Sequence, residues 1–189
     1  VQVKKINYMK SIIKSFILLC VLSATLVSCE TYSDPKVDYS PIYPLSGEWR
    51  VRITNLNTSA LVVTGTSSMY TLGTYNTSDN SATQMWIRAT TSISAIGTVK
   101  AKISCDVPSL SFTTTGVVQN LNVTTNAVID TVTITDAKIT LSSVSMPSGV
   151  KSDRIYFKFK KTKVPGVTYL VEGYRRTRWN EDETVVNFQ

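Results

Sequence analysis

The stretch Pro44-Leu45-Ser46-Gly47-Glu48-Trp49-Arg50-Val51-Arg52-Ile53 decides the fold. From Glu48 onward, charged side chains (Glu48, Arg50, Arg52) alternate with apolar ones (Trp49, Val51, Ile53). That period of two predicts a strand with one buried and one wet face. Everything before this stretch reads as address and tether. Everything after it reads as short strands separated by turn residues.

Working C-terminally, Asn55-Leu56-Asn57-Thr58 predicts a turn, and Leu61 to Thr66 a second strand. Ser67 to Asn80 is polar enough to read as a loop or irregular strand, with Met69, Tyr70, Leu72 and Tyr75 scattered in it. Gln84 to Thr90 and Ile96 to Cys105 are strands. Ser109 to Thr115 and Val117 to Val123 follow, and then a long alternating run from Val128 to Val144 with a bend near Asp136-Ala137. Arg154 to Lys163 and Val167 to Trp179 flank Val164-Pro165-Gly166 and read as a hairpin. No stretch carries the periodicity of a long amphipathic helix. The prediction is an all-β domain of about eight to ten antiparallel strands in up-and-down order, closed as a barrel because closure removes exposed edges. A two-sheet sandwich is the alternative.

Gly47 and Trp49 at the mouth of the first strand resemble the opening of lipocalin and wider calycin barrels. In those barrels the Trp plugs the closed end, and an Arg near the last strand packs across it. Tyr169-Leu170-Val171-Glu172-Gly173-Tyr174-Arg175-Arg176-Thr177 supplies that Arg, so the resemblance pairs Arg175 with Trp49. The Pro-Leu-Ser-Gly-Glu-Trp opening and the Glu-Gly-Tyr-Arg-Arg-Thr close together resemble a narrower group. These are the Gram-negative lipoproteins described as "lipid-binding putative hydrolases", and the resemblance implies a lipocalin-like barrel.

The N-terminus carries an export signal. Lys10 and Lys14 form a positive region, and Ser15 to Val27 is apolar apart from small hydroxyl residues, at about 13 residues too short for a membrane span. It ends in Leu26-Val27-Ser28-Cys29, which looks like a bacterial lipobox, with Cys29 as the thiol that takes up lipid. Met9 reads as the native start. The expected organisation is a signal peptide over 1–28, a lipidated Cys29 and Pro-rich tether over 29–44, and the barrel over 45–189. Two or more acyl chains at Cys29 anchor a protein stably, at ~0.8 kcal/mol per buried CH₂. The expected location is the outer membrane of the cell envelope, on its periplasmic or exposed side.

Charge and cysteines agree with that compartment. The formal charge of +7 falls once the leader is set aside, because 16 Lys and Arg face 13 Asp and Glu from Cys29 onward. That balance is no nucleic-acid signature. Cys20 leaves with the leader and Cys29 carries lipid, so Cys105 is left alone. Its face is shared with Val99, Ala101 and Ile103, and it reads as a small buried hydrophobe.

The chain has no His, which removes Ser-His-Asp and Cys-His arrangements and His-ligated zinc. No Gly-x-Ser-x-Gly, phosphate loop or oxygen-rich metal loop occurs. A Ser-Lys or carboxylate pair is left in principle. No catalytic residue, metal ligand or cofactor is predicted. For binding, Tyr70, Met85, Trp86, Phe112, Phe157 and Phe159 are the candidates to line an apolar pocket, with Met69 and Tyr75 beside them. Gly47, Trp49 and Arg175 are the candidates for barrel closure. Lys158, Lys160, Lys161, Lys163, Arg176 and Arg178 form a basic surface suited to anionic headgroups or glycans. The favoured reading is a membrane-anchored lipoprotein whose barrel binds a lipid or other small hydrophobic ligand. The alternative is a solidly packed accessory subunit of an outer-membrane surface or nutrient-uptake complex, and a hydrolase is third.

Overall fold

The computed structural model describes residues 13–17, 36–66, 68–93 and 96–184. The chain divides into two compact units, Val1–Asp38 and Tyr39–Gln189. In the first, residues 13–17 are helical. Cys29, the lipobox and the tether as far as Pro35 lie outside the described residues. The second unit begins six residues before the predicted boundary, because Ile42, just before a short 3₁₀ turn (Tyr43–Leu45), and Leu45 at its end are fully buried. Tyr43 itself is half exposed and packs on Tyr39 at 3.9 Å between ring centroids.

The strands are β1 (Gly47–Asn55), β2 (Ala60–Leu61), β3 (Tyr70–Asn76), β4 (Gln84–Ile93), β5 (Gly97–Asp106), β6 (Ser111–Thr113), β7 (Val118–Leu121), β8 (Val128–Ser145), β9 (Lys151–Lys161) and β10 (Val164–Arg175). Their hydrogen-bonded order is β1-β3-β4-β5-β6-β8-β9-β10, and β10 returns to β1 from Trp49↔Arg175 to Asn55↔Tyr169. Eight antiparallel strands thus close an up-and-down barrel, which removes the sandwich alternative. β2 and β7 are short additions beside β1 and β8.

Alternation sets the inside. Trp49, Val51 and Ile53 of β1 point inward, as do Met85, Ile87 and Ala89 of β4 and Ile155, Phe157 and Phe159 of β9. These side chains join one core that runs the length of the barrel. β8 keeps its apolar residues inward by bulging near Asp136, which takes a positive φ of 52°, so Val132 and Ile134 before the bulge and Ala137 and Ile139 after it all face in. Leu141, the next residue in that alternation, is exposed instead, ahead of a second register shift.

Several expectations differ from the structure. Ser67 to Asn80 contains a full strand, β3, whose inward set is Tyr70, Leu72 and Thr74. A threonine in the third inward position hid the pattern. The strand expected from Leu61 to Thr66 is reduced to Ala60–Leu61, and the one expected from Ser109 to Thr115 to Ser111–Thr113. The last hairpin turns at Thr162-Lys163, while Val164-Pro165-Gly166 lies within β10, where the register shifts between Val164 and Tyr169. β10 stops at Arg175, four residues short of Trp179. The chain then folds back through a 3₁₀ turn (Asp182–Thr184) that covers Tyr174, whose hydroxyl donates to the Asp182 carbonyl at 2.6 Å.

Candidate lipid-binding site

Trp49 marks the closed end. Its indole N–H donates to Thr74 Oγ1 at 2.8 Å, and that hydroxyl donates to the Leu45 carbonyl at 2.6 Å. The relay satisfies the indole where burial leaves no water. Arg175 lies over the Trp49 ring with its guanidinium carbon 4.6 Å from the centroid. Its Nη2 donates to the Pro44 carbonyl at 2.9 Å, its Nη1 to the Ser46 carbonyl, and its Nε to Asp153 at 2.7 Å. Gly47 makes this stacking feasible, since a Cβ there would overlap Arg175 Nη1.

Above that floor the interior is apolar. Side chains of β1, β3, β4, β5, β8, β9 and β10, among them Val51, Leu72, Ile87, Val132, Phe157 and Val171, surround a cavity of about 20 Å³. That is room for about one water, with no polar partner to hold it, so the cavity is dry. An aromatic row follows the barrel: Phe112 to Phe157 at 5.5 Å, Phe157 to Phe159 at 6.2 Å, and Phe159 to Tyr169 at 5.1 Å between centroids.

At the other end, Ile93 at the close of β4 and Ile96 just before β5 are buried in the core. Lys161 holds this end. This lysine follows Phe157 and Phe159 on the inward face of β9, and its side chain is 0% exposed. Its ammonium donates to the carbonyls of Ile96 at 2.8 Å and Thr98 at 3.0 Å and pairs with Asp130 at 3.1 Å. Asn120 completes the plug, donating to Asp130 Oδ1 at 2.6 Å and to the Thr98 carbonyl at 3.2 Å, and accepting from the Lys100 N–H at 2.8 Å. Burial pushes the Lys161 ammonium below the usual lysine range, and the Asp130 carboxylate partly restores it.

Of the residues proposed from the sequence to line a pocket, Tyr70, Phe157 and Phe159 meet at the cavity. Met85 and Phe112 are buried in the core nearer the closed end. Trp86 is not among them: with Met85 and Ile87 inward, it faces out, under the Lys100 ammonium at 5.5 Å from its ring. Met69 is buried in a separate small cluster with Val144, Met146 and Tyr174, and Tyr75 faces outward. The basic surface is largely neutralised. Lys158 pairs with Asp136, Lys161 with Asp130, Arg176 with Glu48 and Glu183, and Arg178 with Glu48.

Hydrolytic groups are harder to assemble. A Ser-Lys hydrogen bond among the described residues joins Ser145 and Lys151, 2.6 Å apart on neighbouring strands and open to solvent. Among the described residues no group of His, Cys, Asp and Glu is placed to hold a metal.

A closed eight-strand barrel with an apolar interior and one tryptophan-plugged end defines a β-barrel of the lipocalin-like fold. The chain belongs to the family described as "Lipid-binding putative hydrolase", whose model matches residues 34–180. No curated protein matches it. Family and barrel together support lipid binding in general.

Proposed function

We propose that this is a membrane-anchored lipoprotein of the cell envelope whose barrel takes the apolar chain of a lipid, or another small hydrophobic ligand, into its interior. The observation that carries the reading is the uninterrupted apolar lining between the Trp49 floor and the Lys161 plug. Access lies at the end of the barrel held by Lys161. Releasing the Ile96 and Thr98 carbonyls frees the Lys161 ammonium to meet a polar or anionic headgroup, while the chain displaces side chains around Phe157. Anchoring rests on the Leu26-Val27-Ser28-Cys29 motif.

The small cavity favours a second reading, a packed accessory barrel of an outer-membrane complex. At about 20 Å³ the chamber holds no acyl chain without rearrangement. Native mass spectrometry separates the two. The full chain is mixed with a panel of fatty acids and phospholipids, and the variant Ala89→Leu, which fills the chamber with apolar atoms, is run beside it. Uptake by the parent chain that Ala89→Leu abolishes while staying folded supports the carrier. An apo mass throughout supports the packed accessory barrel.

A further inference from the structure

A second site lies on the outside of the barrel. Gly73 has no reason within the fold to be glycine. Five of the eight glycines (Gly65, Gly97, Gly116, Gly149, Gly166) take positive φ, and Gly47 and Gly173 are pressed against Arg175 and the β1 backbone. Gly73 sits in the middle of β3 in ordinary extended backbone, and a Cβ there would meet nothing closer than 3.8 Å. A mid-strand glycine weakens a sheet, and it commonly marks a place where something outside must come close.

Gly73 floors a groove of about 420 Å³, within the range of small-molecule sites. In the cross-strand row Glu48–Gly73–Arg88 it separates an acid from a base. The Arg88 guanidinium makes no hydrogen bond or ion pair among the described residues, and its Nε is buried without a partner. A half-buried donor left so is costly. Glu48 is different, its charge taken up by Arg176 and Arg178. The groove's uncompensated charge is therefore positive. Tyr75 borders the floor with its ring edge 4.0 Å from the Gly73 Cβ position, and Thr71, which accepts from Arg50 at 3.3 Å, retains its own hydroxyl proton to donate.

We propose that this groove binds an anionic sugar, a pyranose ring bearing a carboxylate. The carboxylate pairs with Arg88, whose planar fork suits two oxygens. The ring lies on the bare backbone at Gly73 against Tyr75, and its hydroxyls meet Glu48 and Thr71. A bare anion would use Arg88 alone, and a neutral sugar would leave it unpaired.

The test is calorimetric titration of the full chain with glucuronic acid, with glucose and acetate as comparators. Glucuronic acid binds, and glucose and acetate bind at least tenfold more weakly. Arg88→Ala lowers glucuronic acid affinity at least tenfold, and Arg88→Lys recovers part of it. Gly73→Val abolishes binding by filling the floor. It unfolds no earlier than the parent, because valine suits an exposed strand position. Ala89→Leu leaves the titration unchanged, which separates this groove from the barrel interior. No binding of glucuronic acid to the parent overturns the proposal. Acetate binding as tightly as glucuronic acid, or Gly73→Val binding like the parent, also overturns it.

Discussion

Gly47 and Arg175 occupy one volume: the guanidinium that lies across Trp49 fills the space a Cβ on residue 47 would need. The glycine, the tryptophan and the arginine are therefore one closure device. Its parts come from both ends of the domain and join the first strand to the last.

The two residues are expected to be energetically coupled. Gly47→Ala displaces Arg175, and Arg175→Ala removes it, so each costs roughly 1–3 kcal/mol through the cation–π contact and the Pro44 and Ser46 carbonyls. Urea unfolding of the double variant shows little more loss than the worse single change. Full additivity would mean that Gly47 acts through something other than Arg175.

Gly173 presents a harder constraint. A Cβ there meets the Arg50 carbonyl and the Val51 backbone, which cannot swing aside as an arginine tip can. Gly173→Ala forces β1 and β10 apart at the closing seam. The expected loss is about 3 kcal/mol or more, larger than for Gly47→Ala, in the same urea experiment.

How much of this was legible in the sequence depends on which residues alternate cleanly. β1 is readable because every second residue from Trp49 is apolar. β3 is not, because Thr74 takes an inward position that hydropathy assigns to water, and the Trp49 indole and the Leu45 carbonyl explain it. Trp86 attracts a pocket reading by its size, yet alternation puts it outside: Met85 and Ile87 face the core, so the residue between them cannot. In the sequence Lys161 reads as surface, because its charge outweighs its period with Phe157 and Phe159. Its partners, Asp130 and two carbonyls from another hairpin, are contacts no local pattern reveals. Ile42 looked like tether because prolines surround it.

The Lys161 plug makes a sharp prediction. Lys161→Ala leaves the Asp130 carboxylate buried without its cation and is expected to cost about 3–5 kcal/mol. The double variant Lys161→Met/Asp130→Asn removes both charges while Asn120 still has an oxygen to donate to. It is expected to lie within about 1 kcal/mol of the parent by chemical denaturation. A double variant as unstable as the single one would show that the ion pair itself, and not the orphaned charge, supplies the stability.

Asp182 ties the C-terminal turn to the β8–β9 turn. Burial works to raise its pKa, but hydrogen bonds from Thr177 and from the Ser148 hydroxyl and N–H outweigh it and hold the carboxyl below its ordinary value. A depressed carboxylate contributes stability that is complete above the unfolded value, near pH ~3.9, and is lost as pH falls through the folded one. Asp182→Asn therefore lowers the urea midpoint at pH 7 and flattens the stability profile below about pH 4. An unchanged acid limb would contradict the role of this clamp.

Cys105 is buried, and desolvation together with Asp106 raises its thiol pKa. The thiolate is the reactive form, so iodoacetamide at pH 8 is expected to modify Cys105 at least tenfold more slowly in the folded chain than in urea. Peptide mass spectrometry reads the site directly. Equal rates would place the thiol at the surface.

A lipid chain inside the barrel is tested most directly by intermolecular NOEs. The full chain with labelled Ile, Leu and Val methyl groups is mixed with palmitate as the probe. The expected result is contact between acyl protons and the methyls of Val51, Ile87, Val132 and Ile134, all of which line the chamber. Acyl contacts confined to outward methyls such as Leu141 and Val150, or none at all, would contradict an interior site.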